Sequence, residues 1–336
     1  MISKRVLLST ILITLAVILT AAMISVSGGF DSVPQHSQLK ARALAPDGPL
    51  AFETRHGTII TDDESKARWA DERLQSAVAS FIRNFGTAPG RGVIIELPYV
   101  SYAKAIPKAQ RRWTLPWMSR YFGSGDAVKA GPGGHHFDND SGMQHELNHL
   151  FFTAGVVPST KPSQYGGDAP DWLDEAAALT AESPEAKARR RADFRRQVCA
   201  GRLVPLERFI VQRHPLIASP AMQKFIAERR AAAKGTPTMM TIGANQLGVP
   251  QHALQDFYAQ SAAVAEFVAE ISGDPRILSR IAQSATAASD RPNERYPSWT
   301  DDLTVGDQPL GTQFATWARA SVRAGGPGCA ASRIVN

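Results

Sequence analysis

Polar and apolar positions change their period several times along this chain, and each change marks an element. Ala51–Asp62 alternates closely enough for a strand, with a turn expected at His56-Gly57. Between Lys66 and Phe85, Trp69, Leu74, Val78, Phe81 and Ile82 recur at helical spacing. The run GVIIELPYV, residues 92–100, is the clearest strand, read most simply as a core strand. Residues 101–134 lose all period. Pro107 and Pro116 interrupt them, Arg111, Arg112, Trp113, Trp117 and Tyr121 cluster there, and two glycine-rich clusters follow. This segment reads as a loop that enters a cleft or covers the sheet. Helical periodicity then returns over residues 184–198, 205–213, 254–271, 275–284 and 314–322. A small sheet followed by a helix-rich half predicts an α+β fold.

The most informative helix carries His145-Glu146-Leu147-Asn148-His149. Residues four apart sit about 40° apart around a helix and one turn above each other, so His145 and His149 project from one face. Glu146 lies roughly 100° round, placed to hold water rather than to join the two imidazoles. Met143, Leu147, Leu150, Phe151 and Ala154 form the expected core face, Asp140 or Ser141 the N-cap, and Gly155 the end. Downstream, Asp171 is expected to cap a helix starting at Trp172, with Asp174 in a capping-box-like position. Glu175 then points back at the first helix. Two imidazoles, one carboxylate ligand and a separate carboxylate base are the inventory of a hydrolytic Zn2+ site. Upstream, His135, His136, Asp138 and Asp140 have no metal-site spacing and read as loop and cap chemistry.

HELNH followed by PDWLDEAAA resembles the gluzincin zinc peptidases, the group that includes thermolysin-like and aminopeptidase-N-like enzymes. The resemblance spans roughly residues 50–285. It implies zinc ligation by His145, His149 and Glu175 and a general-base role for Glu146. It also implies a small sheet subdomain before the motif, with a strand edge near the cleft able to pair with extended substrate. Phe257-Tyr258 opens an amphipathic helix similar to the one whose tyrosine stabilises the transition state in aminopeptidase-like members, which carries that role to Tyr258. Ala176 replaces the family's usual glycine, and Leu179 stands where thermolysin-like members place a carboxylate. The residue orienting a ligand histidine is therefore unassigned, and no exopeptidase GxMEN sequence is present. The implied activity is peptide-bond hydrolysis by metal-activated water. The alternatives are an inactive pseudopeptidase serving as an envelope binding module and a zinc hydrolase acting on another substrate.

Composition adds the setting. The chain has 336 residues, of which 43% are hydrophobic and 20% charged, ample for a buried core. Lys4 and Arg5 precede an uncharged stretch from Val6 to Val26. It exceeds the roughly 7–15 residues of a secretory core, favouring a signal-anchor over residues 1–27, although Ser25-Val26-Ser27 offers a cleavage site. Either way the remainder is expected outside the cytoplasm, on the membrane if uncleaved. Residues 28–48 read as a linker, 49–325 as the catalytic domain and 326–336 as a tail. The net charge is +6, of which Lys4 and Arg5 supply two. The Arg-rich run from Lys187 to Arg196 reads as a solvated helix, so no nucleic-acid partner is expected. Cys199 and Cys329 cannot make a CxxC site, and in an oxidising compartment they are candidates for one disulfide.

Overall fold

The turn at His56-Gly57 organises the sheet. Thr54 Oγ1 accepts from the His56 and Gly57 N–H groups at 3.2 and 3.1 Å, and Thr54 N–H donates to Gly57 O at 2.9 Å. Strands β2 (Leu50–Glu53) and β3 (Gly57–Thr61) pair antiparallel across it. Asp63 then accepts from Lys66 N–H and caps α1 (Glu64–Phe85), which ends at Gly86 with φ 75°. That helix is the crossover to β4 (Gly92–Glu96), parallel to β3. The first pair of this ladder is Gly57 with Gly92. A Cβ on Gly57 would meet Gly92 O at 2.0 Å, so the close approach requires glycine.

These coordinates come from a computed structural model, which describes residues 39–117, 139–158, 168–232, 248–289, 308–324 and 329. The architecture is α+β, with a five-stranded sheet in the order β1-β2-β3-β4-β5 and a mostly helical remainder. Two strands depart from the expected boundaries. β1 (Lys40–Ala43) pairs antiparallel with β2 inside the stretch expected as linker. All four of its residues are exposed, so no apolar alternation marks it; Lys40 and Arg42 charge the edge it forms. The strand expected over residues 92–100 stops at Glu96, and a 3-10 segment (Leu97–Ala105) follows with Pro98 in its first turn. Proline has no N–H to extend a ladder. β5 (Thr114–Trp117) runs parallel to β4, so β4 is paired on both sides and offers substrate no free edge.

The pleat divides the sheet between two apolar layers. Phe52, Ile59 and Ile94 face α1 and the helical half, while Ala51, Ile60, Val93 and Ile95 lie under Ile106 and the 3-10 segment. Next come α2 (Asn139–Gly155), α3 (Asp171–Leu179), α4 (Pro184–Cys199), the short α5 (Leu206–Phe209) and α6 (Pro215–Ala218), and α7 (Pro220–Ala232). α8 (Gln251–Ser272), α9 (Ile277–Ser289) and α10 (Leu310–Ala324) complete the described order. The helix expected over 205–213 shrinks to α5. Pro215 drives the preceding His214 to an extended conformation, ψ 130°, and the chain opens there. α10 closes over α4 and α8 through Phe314 and Trp317 against Phe194 and Phe267. Cys199 and Cys329 form a disulfide with Cα atoms 5.0 Å apart. The apolar stretch 6–26 lies outside the described residues, as do His135, His136, Asp138 and most of 326–336. Among the described residues, no helix is long and apolar enough to cross a membrane.

Candidate metal centre

α2 buries Met143, Leu147, Phe151 and Phe152 completely, while Leu150 and Ala154 are only partly covered. Phe152 thus takes the core place expected for Leu150. The same packing fixes the rotation of the helix and presents His145 and His149 to α3. Ser141 lies inside the first turn and does not act as the expected cap of α2; its Oγ accepts from Ser183 N–H at 2.8 Å and ties the helix to the start of α4. Every residue of α3 is buried, with Glu175 fully so. A helix this enclosed is unusual for one bearing three acids, and each acid has a cationic or N–H neighbour that explains its presence.

His145 Nε2 and His149 Nε2 lie 3.0 Å apart, and Glu175 Oε2 is 3.6 Å from each. These three residues form a cluster that can hold a metal ion. The carboxylates behind the imidazoles define how. Asp174 Oδ2 lies 2.9 Å from His149 Nδ1, and Glu182 Oε1 lies 3.3 Å from His145 Nδ1. A carboxylate beside each Nδ1 favours the proton on that nitrogen and turns the Nε2 lone pairs toward Glu175. Three electron-rich atoms converging on one buried point repel one another, and a cation relieves that repulsion. Protonation equilibria register the same pull. Burial opposes charge on His149, but Asp174 and Glu175 outweigh it and hold its pKa well above the usual imidazole range. Burial likewise opposes charge on Glu175, but His149, His145 and His214 hold its carboxyl down to about 2.

The orienting residues are what the sequence reading missed. Asp174 was expected in a capping-box role and Asp171 as the cap. Instead Pro170 occupies the N-cap position without a side-chain bond. Asp174 serves His149, and Asp171 Oδ2 accepts the His214 N–H at 2.6 Å. Glu182 lies beyond the end of α3, three positions past Leu179. Arg190 grips it with Nε at 3.2 Å and Nη2 at 2.9 Å. Burial raises the Glu182 carboxyl, but His145 and Arg190 bring it down to about 2. Arg190 is therefore not on a solvated face, as the Arg-rich run suggested; its side chain is only 20% exposed. His214 reaches the site through the kink before Pro215, with Nε2 3.3 Å from Tyr258 Oη and 3.7 Å from Glu175 Oε1. No spacing rule links it to the motif. The only sequence signal was for Asp174, an acid beside the candidate ligand in an otherwise apolar run.

Tyr258 lies beside the cluster. Its ring centroid is 6.4 Å from that of His145, and the Arg190 guanidinium sits 5.1 Å over its ring. Burial first, then the charges of Glu175 and Glu146, push its phenol well above the ordinary value, so it stays protonated. Glu146 is the exposed residue of the motif and is close enough for its charge to be felt at Tyr258. The outer carboxylates carry a direct test. Asp174→Asn and Glu182→Gln should each lower metal affinity by about 10–100-fold, measured by competition with a chelating dye. Affinities unchanged in both variants would remove them from the site. No family model, curated protein or solved structure matches this chain.

Proposed function

We propose that this chain is a gluzincin-type zinc metallopeptidase working outside the cytoplasm. The observation that carries the reading is the convergence of His145 Nε2, His149 Nε2 and Glu175 Oε2 at 3.0, 3.6 and 3.6 Å, backed by carboxylates and flanked by the exposed Glu146. Tetrahedral zinc with nitrogen and oxygen ligands at about 2.0–2.1 Å requires ligand atoms about 3.3 Å apart, and the observed separations bracket that value. The donor set, two imidazoles and a carboxylate, is also zinc's rather than that of a harder, oxygen-seeking ion. When bound, zinc supplies Lewis acidity toward a carbonyl and makes water nucleophilic near neutral pH.

The chain's own groups supply the rest. Glu146, exposed beside the cluster, takes a proton from the attacking water and returns it to the leaving amine nitrogen. Tyr258, kept protonated by burial, donates a hydrogen bond to the oxygen on which charge develops. His214, with its own charged form disfavoured first by burial, stays neutral against the phenol and holds it in place. Asp174 and Glu182 fix the ring orientations of His149 and His145. The Cys199–Cys329 disulfide supports an oxidising, extracytoplasmic setting.

The test is cleavage of a diverse peptide library by the zinc-loaded chain, with loss of cleavage on chelation and recovery on zinc addition. Tyr258→Phe should keep zinc and lower the cleavage rate by about 10²-fold, a typical cost of one lost oxyanion donor. A zinc-loaded wild type that cleaves no peptide would sink the peptidase reading, and a Glu146→Gln variant that still supports the cellular phenotype would put the binding module in its place.

A further inference from the structure

A cavity of about 230 Å³ lies behind α3, where α1, α4, α8 and α9 meet it. Part of its wall is apolar, including Leu179, Ala262, Ala265 and Leu278. Four cations line it: Arg83, Lys187, Arg190 and Arg191. Two are neutralised, Arg190 by Glu182 at 2.9 Å and Arg191 by Glu266 at 2.8 Å. Arg83 and Lys187 have no carboxylate within ion-pair distance among the described residues. Lys187 Nζ donates to Thr180 O at 2.7 Å, which uses one of its three N–H groups. Arg83 is exposed at the cavity's rim and keeps its hydration, while Lys187 is half-buried and has N–H groups left for an anionic oxygen.

We infer that this cavity binds a small amphipathic anion, a carboxylate with a short aliphatic tail, its head on Lys187 and Arg83 and its tail along Leu179, Ala265 and Leu278. The cavity of about 230 Å³ has room for a medium-chain tail. Burial, and then the neighbouring Arg83 charge, hold the Lys187 pKa below its usual value, the strain that an anion relieves. The site needs neither zinc nor hydrolysis, so its fate is independent of the peptidase reading.

Isothermal titration calorimetry of the full chain in phosphatidylcholine nanodiscs, with empty discs as the blank, tests it. Octanoate should bind saturably at one site, and octanol and inorganic phosphate each at least about tenfold more weakly, since each lacks one half of the recognition. Lys187→Met and Arg83→Gln should each weaken octanoate by about tenfold or more, the worth of one charge-assisted hydrogen bond. Ala265→Trp fills the apolar end without touching a charge and should abolish binding. Octanol binding as tightly as octanoate, phosphate binding equally well, or wild-type octanoate affinity in the Lys187 and Ala265 variants would overturn the proposal. So would the absence of saturable octanoate binding to the wild type.

Discussion

Glu146→Gln should leave zinc content unchanged and lower peptide hydrolysis by about 10³-fold or more. The substitution keeps the side chain's size and its capacity to hydrogen-bond, and it alters an exposed position, so the packing of α2 on Met143, Leu147 and Phe151 is untouched. Zinc should stay because its proposed ligands are three other residues. What disappears is a group that can both accept and return a proton. Proton transfer by a positioned side chain contributes about 10²–10⁴-fold, and here one carboxylate serves both nucleophile and leaving group. Zinc content by mass spectrometry and cleavage by the same preparation check the two halves together. Substantial residual cleavage would move the base elsewhere, and loss of zinc would make Glu146 a ligand.

Glu175→Ala should abolish stoichiometric zinc, with hydrolysis going with it. Glu175 is fully buried and is the one carboxylate among the described residues whose oxygen lies 3.6 Å from both Nε2 atoms. Without it two imidazoles remain as ligands from the chain, a set too small for a three-ligand catalytic site. The fall in affinity should exceed the 10–100-fold expected for the outer carboxylates, because the first is a coordinating atom and the second only orients one. Removing Glu175 also strips His149 of a counter-charge. A folded variant, verified by far-ultraviolet circular dichroism, that still retains one zinc per chain would refute the assignment of Glu175 as a ligand.

The ranking of these effects follows from how near each residue stands to the reacting atoms. It also shows which parts of the site were legible beforehand. His145, His149 and Glu175 were recognisable because short helices convert spacing into direction. Once α2 and α3 form, the faces that carry these residues follow. Asp174 was visible but misread. A helix-start aspartate is a cap in most sequences, and only the burial of α3 against α2 turns it onto His149. Glu182, Arg190 and His214 were not legible as site residues. They arrive from the end of α3, from α4 and from a kink before a proline, and their meeting depends on packing between segments.

What the sequence alone determined is local. Hydrophobic periodicity marks α1, α2, α4, α8 and α10, the turn between β2 and β3, and the apolar run of β4, because those signals come from side chains that must be buried on one face or two. Tertiary structure decided the rest. β1 exists only because β2 offers it a ladder, and its exposed residues leave no periodic trace. The stop of β4 at Glu96 comes with Pro98 just beyond it, and the expected 205–213 helix is reduced to α5, Leu206–Phe209. The pairing of Asp174 and Glu182 with the two histidines, and the cationic cavity behind α3, are long-range facts. They depend on where helices lie after the core is packed, and no periodicity within one segment encodes that placement.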